Sequence, residues 1–512
     1  MHADILIING KCMTMKDGEI VEWIAIKDGK ILDLGSGIDY KTIAGSSSVV
    51  IDAKGKTVLP GFIDSHFHVV QTAMNADSID LKGVKDFSEI GCKIMHGEKN
   101  NSQESIFGVR LERENLLENN FPDRIELDKY CSNIPVWINC IDYQVSMLNT
   151  YGLLYYKVPF RMEGIDMDEN NVATGVFRGK ANATLRTNIL NNFPNKRRRD
   201  CVNNLMPKLL SVGITTVNAM EGGYMYSDKD ADFILEHQDE FPVDMALFYQ
   251  SMDLDKINNL NLKRVGGSLY VDGTIGARTA ALSFEYQDFP GKMGSLIYKQ
   301  NELNEFVMEC YNKRLQLALY AIGDRAIEMV LDAHEYALYH TGVVGLRHRI
   351  EHAVMANEEQ IKRAAEMGII FTMSPAYERS WGGVGKMYNK RLGSRYIETN
   401  MFREIIDLGV VLCGSSDSDV NDYNPFISIA AAVNHPVKEH SVSVYEALQM
   451  YTCNGAYAIF EEDKKGTLEK GKIADIIILD RDIMNVATEE IENTKVISTI
   501  KGGELLYNSP DV

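Results

Sequence analysis

The residues best suited to chemistry begin in "VLPGFIDSHFHVV", residues 58–70, where His66 and His68 stand two apart at the end of an apolar run. Alternate residues of a strand share a face, so both imidazoles project the same way and can share one divalent ion. An HxH pair alone is common by chance. Here a Pro-Gly turn feeds a buried strand and sets the pair at that strand's C-terminal end. His352 ends "RHRIEH" and Asp417 ends "VLCGSSD", two further strand-like runs. Each taken singly reads more readily as structural, but their joint recurrence at strand ends points to one site. Asp417 there can bind a metal, take a proton from the attacking water and deliver it to a leaving nitrogen. A bound Zn²⁺ brings water's pKa to about 7, so an ordinary carboxylate suffices as the base.

The elements that must position these residues follow from the alternation of apolar runs and helical patterns. After "TVLPGFIDSHFH" come "VGITTVNAM" (212–220), "PVDMALFYQ" (242–250), "GSLYVDG" (267–273), "LQLALYAIGD" (315–324), "RHRIEHAV" (347–354), "MGIIFTMSP" (367–375) and "GVVLCGSSD" (409–417). Helix-length segments such as "RAIEMVLDAHEYALYH" and "NEEQIKRAAEMG" lie between them. Eight β-then-α units predict an α/β fold, a (β/α)₈ TIM barrel with its active site at the C-terminal ends of the strands. Short alternating strands at the N-terminus ("DILIING", "WIAIKDGK", "ILDLG") and at the C-terminus ("ADIIILDRD", "VISTIKGGELLY") predict a small β-sandwich built from both ends. The domain reading is residues 1–57 and 456–512 for the sandwich and 58–455 for the barrel. Residues from about 70 to 205 form an inserted subdomain after the first barrel strand, expected to cover the barrel mouth, with "PVWINCID" as a strand and "NVATGVFRGKANATLRTNIL" as helix.

Composition sets outer limits. The chain has 512 residues, 45% of them hydrophobic and 24% charged, which is ordinary for a globular protein. Its net charge of −19 argues against nucleic acid or an anionic membrane as the main partner. The one basic run, "NKRRRD" at 195–200, reads as a solvated helix start. Eight cysteines form no CxxC pair, and the chain opens on a strand with no secretory leader, so reduced thiols and a cytoplasmic location are expected. The "GSG" at 35–37 lacks the context of a phosphate loop.

The chain resembles the amidohydrolase superfamily, and within it the amidohydrolase-3 group that includes N-substituted formamide deformylases. The resemblance rests on "VLPGFIDSHFH", "FPDRIELDKY", "LLSVGITTVNAMEGG", "YVDGTIGARTAALSFEY", "AIGDRAIEMVLDAHE", "RHRIEHA", "GVVLCGSSDS" and "GTLEKGKIADIIILDRD", spread over nearly the whole chain. It implies a zinc-type site, mononuclear or binuclear, that hydrolyses C–N bonds, with His66, His68, His352 and Asp417 at the matching positions. Three positions depart from the pattern. Ser268 stands where many relatives carry a carboxylated, metal-bridging lysine; Tyr320 stands where a metal-binding histidine precedes "AIGD"; and a "DGH" of the inserted region is here "DYQ", with Gln144 in the histidine position. Glu221, at the end of the second strand and before two glycines, can replace the bridging carbamate, since both offer two oxygens to a cation. The alternative is a surface glutamate in a Gly-rich turn. Tyr320 should point where the absent histidine would; phenolate, with its ordinary pKa near 10, is an uncommon ligand. The favoured reading is therefore a weak or empty second metal subsite, with Tyr320 lining the substrate pocket.

Other residues carry softer expectations. Arg278, with Asp272 in "DGTIGARTA", can grip an anionic or carbonyl group or simply form a loop ion pair. Tyr377 and Trp381 in "SPAYERSWGG" suit an aromatic wall for substrate, or contact only the insertion. His348 should share the face of His352 deeper in the barrel as a packed histidine, and His96 is a remote candidate from the insertion. His2, His237, His334, His340, His435 and His440 read as surface residues. The leading expectation is a metal-dependent hydrolase, with one or two divalent ions, most simply Zn²⁺, acting on an amide, formamide or cyclic amide of a small organic substrate. Deamination of an N-heterocycle, or a degenerate barrel serving as a binding module, are the alternatives. A homodimer is the default assembly.

Overall fold

The computed structural model describes residues 2–100, 105–141, 143–158, 162–223 and 226–510. They fall into two compact units, residues 1–68, 206–221 and 234–512 in the first and 69–205 with 222–233 in the second.

The first unit is organised around eight parallel strands. These are β1 (Phe62–Phe67), β2 (Ile214–Glu221), β3 (Asp244–Tyr249), β4 (Arg264–Tyr270), β5 (Gln316–Ala321), β6 (Arg349–His352), β7 (Ile370–Met373) and β8 (Leu412–Gly414). They pair in sequence order. A bridge between Phe67 and Ser418, just past β8, brings the last strand back to the first and nearly closes the ring. The Asp64 carboxylate strengthens that seam by accepting from the Ser416 N–H at 3.1 Å and from the His66 N–H at 3.2 Å. Between β4 and β7 the crossovers are the helices Gln300–Asn312, Asp324–Thr341 and Glu358–Met367, as the apolar spacing requires. Gly267 in β4 has φ of +109°, and a Cβ there would lie 2.5 Å from Met220 Sδ, so only glycine lets β4 approach β2 this closely.

Each run found in the sequence overlaps a barrel strand, with boundaries moved: β4 starts three residues before "GSLYVDG", and β2 runs one residue past "VGITTVNAM" to Glu221. "TVLPGFIDSHFH" is not one strand: Gly61 divides it, so that Thr57–Pro60 joins a terminal sheet and only Phe62–Phe67 enters the barrel. That terminal sheet interleaves both chain ends in the order Glu504–Asn508, Val496–Lys501, Ile476–Leu479, Thr57–Pro60, Lys11–Met13, Ile20–Val21. A second sheet has the order Lys30–Gly35, Trp23–Lys27, Ile5–Ile8, Val49–Asp52. One apolar cluster draws on both sheets, with Ile7, Ile24 and Ile26 from one and Val58, Ile476 and Ile478 from the other.

The second unit has its own six-stranded sheet, in the order Ile165–Met167, Ala173–Arg178, Val145–Leu148, Val136–Cys140, Ile106–Leu111, Ile79–Asp80. Its core includes Ile94, Leu111, Val136, Ile138 and Met147. Two expectations need correction here. "NVATGVFRGKANATLRTNIL" is not all helix: Ala173–Arg178 is a strand, paired to Val145–Leu148, and the helix starts at Gly179. Nor is "NKRRRD" fully solvated. It does open a helix, but Arg198 is buried, ion-paired to Asp230 at 2.7 Å and donating to the Leu190 carbonyl at 3.0 Å. A buried guanidinium is tolerable only when its donors are so matched.

Candidate metal centre

The C-terminal ends of the barrel strands gather the chemistry. His66 lies in β1 and His68 just beyond it; Glu221 ends β2, His352 ends β6, and Asp417 follows β8. All five are buried. Asp417 Oδ1 is 3.4 Å from both His66 Nε2 and His68 Nε2. Among the described residues, His66, His68 and Asp417 form the one group of histidine, cysteine or carboxylate ligand atoms that lie together, all within 4.8 Å of one another. The His352 ring stands 5.1 Å from that of His66.

Each imidazole is oriented by its far side. His68 Nδ1 donates to the Met220 carbonyl at 2.8 Å, and His66 Nδ1 meets Glu351 Oε2 at 2.6 Å, which leaves Nε2 of both rings toward Asp417. His66 Nε2 and His352 Nδ1 are buried without a hydrogen bond. Such orphans cost about 1–3 kcal/mol each unless something else meets them. Electrostatics tell the same story. Burial would raise the Asp417 carboxyl, but the hydrogen bond from His68 and the surrounding imidazoles hold it well below the usual carboxylate range. Burial lowers His352 to about 4 and also opposes charge on His68, yet Asp417 and Glu221 lift His68 to about 9. Two imidazole nitrogens converge on an anionic oxygen, and the proton shared by His68 and Asp417 occupies the place a cation would take. That donor set fits a borderline divalent ion.

Backbone strain marks the same place. His352 (φ +74°) and Asp417 (φ +52°) are left-handed non-glycine residues, a conformation costing on the order of 1–3 kcal/mol. In β6 the strain has a structural purpose. Arg349 and Glu351 point into the barrel, where Arg349 reaches Asn218 Oδ1 at 2.7 Å and its guanidinium lies over Phe248. Strict alternation would turn His352 outward; the left-handed twist brings it to the same side as Glu351. His348 accordingly does not share the face of His352, contrary to the sequence reading. It packs outward on Tyr311 and His334, with ring centroids 4.4 and 4.8 Å away. His334, His435 and His440 are likewise buried rather than on the surface. His334 sits one helical turn from Val330 and Ala337 on the stripe that packs against the barrel.

The remaining candidates divide. Glu221 lies close enough to His68 to raise its pKa, and Gly222 (φ +88°) and Gly223 (φ +77°) make the turn after it. Ser268 is buried in β4. Tyr320 is buried beside His352, ring centroids 4.5 Å apart, and its hydroxyl donates to the Gly273 carbonyl at 3.4 Å. Burial first, then Asp272, drives its phenol pKa well above the usual value. It is a protonated phenol. Tyr377 stacks parallel to His352 and donates its O–H to Asp417 Oδ2, and Trp381 packs on Tyr377 at 4.5 Å, so an aromatic wall flanks the histidines. Arg278, by contrast, spends its fork on Asp288 at 2.9 and 2.8 Å, and Asp272 accepts the backbone N–H groups of Ala281, Ile322 and Gly323. Gln144 and His96 are exposed residues of the second unit, and Asp142 of "DYQ" lies outside the described residues. Sequence reasoning missed Arg349, Glu351 and Asp64. Their one signal is the charged alternation in "RHRIEH" and the acid two before His66, in strands that ought to be wholly apolar inside.

A parallel barrel with this His/Asp cluster at its C-terminal end is the arrangement of a metal-dependent hydrolase. Residues 49–507 match the amidohydrolase family model, and the chain belongs to that family. It is thus a hydrolytic enzyme. It is 26% identical to N-substituted formamide deformylase of Arthrobacter pascens, over 98% of each chain. It is also 26% identical to Protein LONG AFTER FAR-RED 3 of Arabidopsis thaliana, over 99% of this chain and 92% of the relative. Among solved structures, an uncharacterized metal-dependent hydrolase from Pyrococcus furiosus superposes with a TM-score of 0.80 at 29% identity, over 94% of this chain and all of that one.

Proposed function

We propose that this protein hydrolyses a non-peptide C–N bond, that of an amide, formamide or cyclic amide, in a small organic substrate. The convergence of His66, His68 and Asp417 at the strand ends carries the reading. His66, His68 and Asp417 would hold the ion, with His352 and Glu221 beside them. A divalent metal, most simply Zn²⁺, supplies a Lewis acid that polarises the carbonyl and acidifies water. Asp417 Oδ1 faces both imidazoles, so it accepts the proton of the attacking water and returns it to the leaving nitrogen. Tyr377 holds the other oxygen, Oδ2, and so fixes which one acts. The wall of Tyr320, Tyr377 and Trp381 excludes water and favours a substrate with an apolar or planar group. One ion per chain is the reading that Tyr320 supports, since a protonated phenol hydrogen-bonded to backbone is a poor ligand.

The relationship to a formamide deformylase supports the substrate class. Its test is a panel of N-substituted formamides, linear amides and cyclic amides run beside N-heterocyclic amines. Release of amine or carboxylate from the amides is the expected result; release of ammonia from the heterocycles alone would assign a deaminase instead. The proposal extends to a cytoplasmic homodimer with no nucleic-acid or membrane partner. Among the described residues no helix is long and apolar enough to cross a membrane. We read the two terminal sheets as one β-sandwich and residues 70–205 as a subdomain inserted after β1.

A further inference from the structure

Inside the barrel, beneath the metal centre, lies a chain of charged groups that the proposed reaction does not use. Arg349, fully buried, donates from Nε to Glu351 Oε1 at 2.7 Å and from a second nitrogen to Glu351 Oε2 at 3.0 Å. The same guanidinium donates to Asn218 Oδ1 in β2 and to the Ser65 carbonyl in β1. Glu351 is thereby fixed in the plane of the fork, and its Oε2 meets His66 Nδ1 at 2.6 Å. Both carboxylate oxygens are engaged, and no solvent reaches either. An inert pair of this kind could be replaced by apolar side chains at little cost, because desolvation offsets the attraction of buried ions. Here one end of the pair terminates on the imidazole that faces Asp417.

We propose that Glu351, clamped by Arg349, is the positioning residue of His66. A carboxylate accepts and does not donate, so it keeps the proton on Nδ1 and the lone pair on Nε2, aimed at the cluster with His68 and Asp417. It also fixes the ring plane, because the fork, the carboxylate and Nδ1 leave no freedom to rotate. Imidazole ligands backed by a carboxylate gain basicity and orientation, and loss of such a partner costs about 10–100-fold in metal affinity. The left-handed turn at His352 allows Glu351 and His352 to serve one centre from adjacent positions. This inference rests on the metal reading of His66, His68 and Asp417.

The test compares wild type with Glu351→Gln, both full length, stripped with chelator and titrated with Zn²⁺ against a chromophoric chelator. Co²⁺-loaded samples report ligand geometry through their visible bands, and far-UV circular dichroism reports folding. Zn²⁺ binding weaker by about 10–100-fold, with a shifted Co²⁺ spectrum and an unchanged fold, is expected for Glu351→Gln. Folded Glu351→Gln that binds Zn²⁺ within twofold of wild type overturns the inference alone. Wild type that binds no Zn²⁺ overturns the metal reading, and the inference with it. Should Glu351→Gln not fold, the wild type decides, by nitrogen NMR of metal-free protein labelled in its histidines and assigned through His66→Asn. A proton held on Nδ1 of His66 supports the proposal; a proton held on Nε2 with Nδ1 bare overturns it.

Discussion

Asp417 carries the heaviest load of any residue in the centre. It faces two imidazoles with one oxygen, receives the Tyr377 hydroxyl with the other, and holds a strained backbone to do so. Asp417→Asn should lower kcat by at least about 10²-fold, the lower end of what a positioned proton carrier contributes. Steady-state rates in that variant within tenfold of wild type would remove Asp417 from the proton path. Tyr320 offers the complementary change. Replacing its phenol with an imidazole, Tyr320→His, restores a nitrogen donor beside His352 and should raise bound metal above the wild-type ratio. Metal analysis showing the same ratio in both proteins would count against a second subsite at that place. The clustering of His66, His68 and Asp417 was legible because histidine and aspartate are rare at the ends of apolar strands. Arg349 and Glu351 were not, because strand alternation places Glu351 opposite His352, and only the φ of +74° at His352 brings the two together.

At the scale of elements, β6 shows both the reach and the limit of sequence periodicity. Its apolar neighbours announced a strand, but its own Arg349 and Glu351, pointing inward, and His348 just before it, pointing outward, are polar and buried. Hydrophobicity cannot see a polar group whose partner lies on another element. The outward face makes a pH prediction. Burial lowers His334 to about 3 and His348 well below its ordinary value, while both titrate near 6.5 in the unfolded chain. Between those values the unfolded state binds more protons, so native stability is fully present above about pH 6.5 and lost as pH falls. The loss approaches about 1.4 kcal/mol per pH unit for each histidine. The urea midpoint should therefore drop less between pH 7 and pH 5 in His334→Asn than in wild type. An equal drop would show that His334 takes up its proton while folded. The strand at Ala173–Arg178 was missed for a different reason: a glycine and small residues interrupt its alternation, and pairing to Val145–Leu148 supplies what local propensity does not.

For the whole molecule, the eight runs in the sequence sufficed to give the barrel, because parallel strands buried on both faces are nearly continuous apolar segments. The interleaving of both chain ends in one sheet was legible only as shared style, since no local signal specifies which distant strand Thr57–Pro60 will meet. What the chain holds, and how tightly, is the claim on which the account depends. The most direct measurement is metal content, by plasma mass spectrometry, of wild type and Glu221→Gln purified without added metal, each assayed for amide hydrolysis before and after chelation. About one divalent ion per wild-type chain, activity lost on chelation and restored by Zn²⁺, and a folded Glu221→Gln depleted of most of its metal are the expected results. A wild type without bound metal, or one that hydrolyses amides at full rate after chelation, would contradict the claim.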